Sequence, residues 1–179
     1  MPPLVRPAVI AASVLFLALA GIAPATSMDT GATAGNPPAS TTRVAAKVST
    51  AEATWEKKIL TITNKHRAKA GCKALKLNTS LRKAARKHSD LMARAKTLSH
   101  QLPGEASLGK RITRAGYRNW RSVGENVAFG YPTPANMMAA WMASPGHRKN
   151  ILTCKYRHLG VGVTVKNGVP WATQDFGRK

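Results

Sequence analysis

Apolar side chains recur every three or four residues through much of the chain after residue 50, which is the spacing of an amphipathic helix. The first predicted helix covers 51–70 and ends near Gly71, and its repeating positions are Trp55, Ile59, Ile62 and His66. The second covers 78–96 and is capped by Asn78 or Ser80; one face carries Leu81, Ala84, Ala85, His88, Leu91, Met92 and Ala95. Shorter helices are predicted at 106–115, from Thr133-Pro134 to about Ser144, and from Pro145 onward.

Two segments have the shorter period or the turn signals of β-strands. Residues 122–129 are bounded by glycine and suit one short strand, while 159–165 and 169–176 flank Asn167-Gly168 and predict a β-hairpin. Helices first, then a strand, more helix and a final hairpin are typical of the α+β class.

The N-terminal 50 residues have a different composition. Residues 8–22 are almost wholly apolar and precede Ala23-Pro24-Ala25, so residues 1–25 are interpreted as a cleaved signal peptide, with an uncleaved anchor as the alternative. Residues 26–50 are rich in Thr, Ala, Ser and Pro and are interpreted as a flexible linker or a pro-segment. The remaining 51–179 are long enough for a single domain with its own core.

The chain has two cysteines, Cys72 and Cys154. In an exported protein an isolated pair is most simply a disulfide, and two free buried thiols are the alternative. Two cysteines alone do not make a structural zinc site.

Positive charge is spread along the whole chain. The sequence has 28 Lys and Arg against 7 Asp and Glu and a formal net charge of +21, which becomes +20 when Arg6 is removed with the leader. Such a surface attracts polyanions, and in a secreted protein these are anionic wall polymers, phospholipid head groups or glycans. A solubility role or a genomic base-composition effect remains the alternative. No motif of a sequence-specific nucleic-acid reader is present in the sequence.

Three short motifs place chemistry in this basic domain. They are Ser99-His100, Gly124-Glu125-Asn126, and the run from Trp141 to Leu152 that contains Ser144-Pro145-Gly146-His147. Together with Gly160-Val161-Gly162-Val163 and Gln174-Asp175-Phe176-Gly177, they resemble the CAP superfamily, the SCP domain of cysteine-rich secretory proteins, in its short bacterial secreted branch. The resemblance implies a three-layer α-β-α sandwich with a small central antiparallel sheet.

The resemblance also implies a cleft with two His and two Glu. Carried over by position, His100 and His147 match the two histidines, and Glu125 matches the first glutamate. The second glutamate would stand three residues after Trp141, where this chain has Ser144. We therefore expect His100, Glu125, Ser144 and His147 to line a cleft.

Three interpretations of this cleft remain open. His100, Glu125 and His147 match an open zinc site with water in the fourth position, and such a metal activates its water. Without a metal, Glu125 can orient an imidazole as a general base. The third interpretation is a hydrogen-bonded network that only fixes the loops. His88, on the apolar helix face, is predicted to be a core histidine beside the cleft rather than a ligand.

The sequence favours binding over turnover. We expect a secreted, monomeric SCP-domain protein at the cell envelope, without a membrane span in the mature chain, that binds an anionic polymer, a phospholipid or another lipid. The alternative is a divalent-metal-dependent hydrolase that uses His100, Glu125 and His147.

Overall fold

The computed structural model describes residues 49–179, so the predicted leader and nearly all of the predicted linker lie outside the described part. The described residues form five helices, α1 to α5, and four strands, β1 to β4. In chain order the elements are α1 Thr50–Lys69, β1 Lys76–Leu77, α2 Thr79–Ala95, α3 Leu108–Arg114, β2 Ser122–Phe129, α4 Pro134–Ala143, α5 Pro145–Leu152, β3 His158–Lys166 and β4 Val169–Arg178.

The four strands form one sheet in the order β1-β3-β4-β2. β3 and β4 are the predicted hairpin, and Asn167 and Gly168 both have positive φ at its turn. β2 pairs antiparallel with the other side of β4, whereas the two-residue β1 joins β3 in parallel. The α+β class is confirmed, and the predicted antiparallel sheet carries one short parallel edge strand that the sequence pattern did not reveal.

The two faces of β3 explain its alternating sequence. Leu159, Val161 and Val163 are buried in the larger core cluster beside Ile59 of α1 and Trp141 of α4. The glycines between them point the other way, where a Cβ on Gly160 or Gly162 would come within 2.2 Å of the α2 backbone. Helix α2 therefore lies directly on one face of the sheet, and α1, α4 and α5 pack on the other side.

The buried face of α1 is more polar than its hydrophobic spacing suggested. Ile59 is fully buried as predicted, but the other buried positions are Glu56, Thr63 and Arg67, while Trp55 and Ile62 are only partly buried. Each polar group has partners: Glu56 accepts two hydrogen bonds from Arg86, and Thr63 accepts one from Gln174. The hydrophobic pattern located this helix correctly but misplaced its buried face.

A disulfide joins Cys72 to Cys154, as predicted, and ties the end of α1 to the segment after α5. The fully buried Arg67 reinforces the same junction, because its guanidinium donates to the carbonyl oxygens of Lys73, Ile151, Thr153 and Tyr156. None of the helices within residues 49–179 is long and apolar enough to cross a membrane.

Candidate functional site

The Gly-Glu-Asn motif lies in the middle of the edge strand β2, and its three residues face different surroundings. A Cβ on Gly124 would stand 2.5 Å from the Tyr156 hydroxyl, so only glycine fits under that side chain. Asn126 points to the α5 side, where its amide donates to Gln174 Oε1 at 3.0 Å and to the His147 carbonyl at 3.2 Å. Glu125 points to the opposite face, so strand alternation separates the two polar side chains.

Glu125 is the centre of the site. One carboxylate oxygen, Oε1, lies 2.9 Å from His100 Nδ1, and the other, Oε2, accepts from Arg111 Nη2 at 2.8 Å. The Glu125 and Arg111 side chains are 3% and 8% exposed, whereas His100 is 60% exposed. The site therefore presents one solvent-accessible imidazole on a buried carboxylate.

A second acidic group, Glu105, extends the network around Glu125. Glu105 Oε1 lies 2.8 Å from Nδ1 of the fully buried His88, whose Nε2 lies 2.8 Å from the Ser99 carbonyl. Glu105 Oε2 accepts the Leu102 backbone N–H, and its Oε1 lies 3.6 Å from Arg111 Nε. His88 is thus the core histidine that the sequence predicted, and it anchors the loop that carries His100.

Asp175 lies beside Glu125 as its cross-strand partner on β4. It is fully buried, and neither of its carboxylate oxygens accepts a hydrogen bond from a donor within residues 49–179. Burial, and then the charge of Glu125, raise the pKa of Asp175 well above its ordinary value. A buried carboxylate without donors is very costly in free energy, so burial favours the protonated form of Asp175.

The pKa values of His100 and His147 are shifted in opposite directions. The hydrogen bond to Glu125 raises the pKa of His100, although burial opposes it. Burial, and then the positive charge of His100, lower the pKa of His147. His100 is therefore protonated more readily than His147.

Helix α5 positions His147, which lies half-buried in its first turn. Asn150 holds the helix against β2 by donating to the Glu125 carbonyl and to Asn126 Oδ1, both at 2.9 Å. Ser144 is the N-cap residue of α5 with Pro145 at the first helical position, but its side chain makes no capping hydrogen bond. The structure thus brings His100 and Glu125 into direct contact and places His147 within electrostatic reach of His100.

A family profile described as "CAP: Cysteine-rich secretory protein family" matches residues 60–176. The chain belongs to the CAP superfamily. YkwD from Bacillus subtilis is 39% identical over 124 residues, which cover 69% of this chain and 48% of that protein.

Among solved structures, an extracellular SCP-domain protein from Bacillus anthracis superposes with a TM-score of 0.67 at 31% identity, covering 72% of this chain and 41% of that one. An outer surface protein from Borrelia burgdorferi has a TM-score of 0.66 at 18% identity, covering 70% of this chain and 93% of that one, and supports the fold alone. Since the chain spans only about half of YkwD, the correspondence is between CAP domains.

In the described conformation, His100, Glu125 and His147 are not arranged as a three-ligand metal site. No three His, Cys, Asp or Glu side chains within residues 49–179 are placed to hold a metal ion. Both oxygens of Glu125 already bind His100 and Arg111, and the Arg111 guanidinium adds a positive charge that repels a cation. The geometry fits better with an oriented imidazole than with a three-ligand metal site.

Sequence reasoning missed three members of this network: Glu105, Arg111 and Asp175. A usable signal was present, because carboxylates are scarce: seven in the chain, minus Asp29, leaves six in the domain. In so basic a domain each of these acids has a structural or chemical reason to be present.

Proposed function

We propose that this CAP domain is an extracellular binding module for an anionic polymer of the cell envelope. The supporting observation is an imbalance in how the domain uses its charges. Its negative charges are engaged internally, whereas most of its positive charges have no acidic partner and face the solvent.

Each of the six carboxyl groups is either bound to a partner within the domain or fully buried. Glu56, Asp90, Glu105 and Glu125 face arginine or histidine side chains, and Asp175 is buried. Glu52 accepts the backbone N–H groups of Ser49 and Val165. Among the carboxylates in ion pairs, Asp90 has the most exposed side chain, at 41%, and it is bound to Arg94.

The positive charges greatly outnumber these partners. Subtracting Arg6, Arg43 and Lys47 from the 28 Lys and Arg leaves 25 in residues 49–179. Within this range only Arg86, Arg94 and Arg111 form ion pairs with carboxylates. The domain therefore carries a large excess of unpaired positive charge, and such a surface binds polyanions through release of their counterions.

The test is calorimetric binding of the mature chain to inorganic polyphosphate at several salt concentrations. We expect the affinity to fall about tenfold or more between roughly 50 and 200 mM salt. Vesicles of neutral and anionic phospholipid form the second arm. Absence of polyphosphate binding at low salt, or binding that salt does not weaken, would refute the proposal, and preference for vesicles would assign the surface to lipid instead.

The hydrolase alternative is supported by one observation, the exposed His100 ring held by the buried Glu125 through its Nδ1. This geometry leaves Nε2 free to act as a general base. The hydrolase would be favoured if the wild-type chain has a hydrolytic activity that is lost in His100→Ala and in His147→Ala, while both variants still bind polyphosphate. Zinc titration of the mature chain beside the double variant tests the metal hypothesis separately.

A further inference from the structure

A second cluster of polar residues lies at the end of the sheet where β3 begins and β4 ends. Tyr117 is fully buried over Gly177, where a Cβ would come within 2.6 Å of its ring and hydroxyl. Its hydroxyl lies 2.9 Å from His158 Nδ1, and the two rings meet edge to face at 5.8 Å. The sequence alone suggests no partner for His158.

The contact with Tyr117 fixes the tautomer of His158. Burial raises the pKa of Tyr117 to about 12, so the phenol keeps its proton. Burial, and then the charges of Lys179 and Lys76, lower the pKa of His158, so its ring is neutral at neutral pH. With the protonated phenol as the donor to Nδ1, the ring proton is on Nε2, where it is available as a donor.

Two lysines lie close enough to His158 to act on it electrostatically. Lys76 of β1 is in register with His158 on the adjacent strand, and both Lys76 and Lys179 are exposed. The Lys179 ammonium lies 5.0 Å from the centre of the Tyr117 ring. The charged groups that lower the pKa of His158 are both cations. Each carboxyl group of the domain is bound to another partner or, in the case of Asp175, fully buried.

We propose that Lys76, His158 and Lys179 form a binding site for a phosphate group. Three donors that approach from different residues match a tetrahedral oxyanion, which has more acceptor oxygens than a carboxylate. Tyr117 is the positioning residue, since it turns the N–H of His158 toward the ligand. The site rests on the proposed function and deepens it by assigning one phosphate contact of the polymer.

The first test is NMR of the histidine rings in the full mature chain during titration with inorganic phosphate and, separately, polyphosphate. We expect the His158 signals to shift with both probes, at much lower phosphate concentration for the polymer. The bound anion should also raise the pKa of His158. Unmoved His158 signals with both probes would overturn the inference.

A matched pair of double variants tests the location. Lys76→Ala/Lys179→Ala and Lys83→Ala/Lys87→Ala each remove two exposed lysines, the second pair from α2. We expect about a tenfold loss of polyphosphate affinity in the first and less than about threefold in the second. Equal losses would refute this site and leave the proposed function intact. The wild-type chain could instead fail to bind polyphosphate while inorganic phosphate still shifts the His158 signals. That result would refute the proposed function and leave this site intact.

Tyr117→Phe tests the positioning role because it keeps the ring and removes only the hydroxyl. We expect His158 to populate both neutral tautomers and phosphate affinity to fall several-fold, with the lysines unchanged. A single Nε2–H tautomer and unaltered affinity in this variant would contradict the role of Tyr117. A folding check by amide NMR accompanies each variant.

Discussion

The pKa values of two neighbouring carboxyl groups, Glu125 and Asp175, are shifted in opposite directions because their donors differ. Burial raises the pKa of Glu125, but His100, Arg111 and His88 together lower it below its ordinary value. Asp175, its cross-strand partner, has no donor within residues 49–179, and its pKa is raised. One ionised and one neutral carboxyl can be buried side by side, whereas two ionised ones cannot.

The His100–Glu125 contact predicts a pH dependence. The pKa of His100 is raised above 6.5, so the stabilisation it brings is fully present below pH 6.5 and is lost as pH rises through the folded value. In Glu125→Gln we expect the pKa of His100 to fall, since the charged partner is gone. NMR titration of the ring measures both values, and a wild-type pKa at or below 6.5 would contradict the assignment.

Asp175→Asn tests the protonated state of the second carboxyl. A carboxyl whose pKa is raised on folding makes the folded state bind more protons than the unfolded state, so its contribution to stability decreases as pH rises from about 3.8. Asparagine replaces the acid without titrating. We expect the stability of the variant relative to wild type to increase between about pH 4 and pH 8, measured by urea unfolding at each pH. A relative decrease over this range would mean that Asp175 is ionised.

Among the elements, β3 was the most completely predictable from sequence. The run Gly160-Val161-Gly162-Val163 alternates, and the structure uses the valines for the core and the glycines for contact with α2. What the pattern does not specify is which helix lies on the glycines, because that pairing joins segments that are far apart along the chain.

Gly162→Ala measures how closely α2 approaches the sheet. The new Cβ would lie 2.2 Å from the Arg86 backbone nitrogen, so helix and strand must move apart. We expect a loss of about 3 kcal/mol or more in the free energy of unfolding. Gly146→Ala is the control, since nothing lies within 4 Å of its Cβ and a helical Gly→Ala change stabilises by up to about 1 kcal/mol. Urea unfolding of both variants is the measurement, and similar values for the two would contradict the close packing.

Helix α1 shows where local pattern fails. Its hydrophobic residues indicated a helix, yet Arg67 is fully buried because four carbonyl oxygens from 73–156 converge on its guanidinium. These acceptors lie in loops and at a helix end, so no periodic spacing in the sequence predicts them.

At the scale of the whole molecule, the elements and the class follow from local patterns, and the three-layer arrangement was expected from the family resemblance. Residues of the candidate site were predictable in part: His100, Glu125 and His147 came from the motifs. Arg111 and Asp175 did not, because their role depends on long-range pairing of α3 and β4 with β2. Their hydrogen-bond network forms only in the tertiary structure. The small number of acidic residues was the one feature of the sequence that indicated it.

The disulfide Cys72–Cys154 offers a test of how the whole domain is held together. It closes a loop with a sequence separation of 82 residues, and in the chain-entropy model such a link stabilises the fold by about 4 to 5 kcal/mol. Arg67 clamps the same junction from inside with hydrogen bonds that do not depend on the disulfide. We therefore expect Cys72→Ala/Cys154→Ala to unfold at lower urea concentration but to keep the native NMR spectrum and the Arg67 contacts. Unchanged stability would show that the unfolded chain is already confined, and loss of the native spectrum would show that Arg67 cannot hold the junction alone.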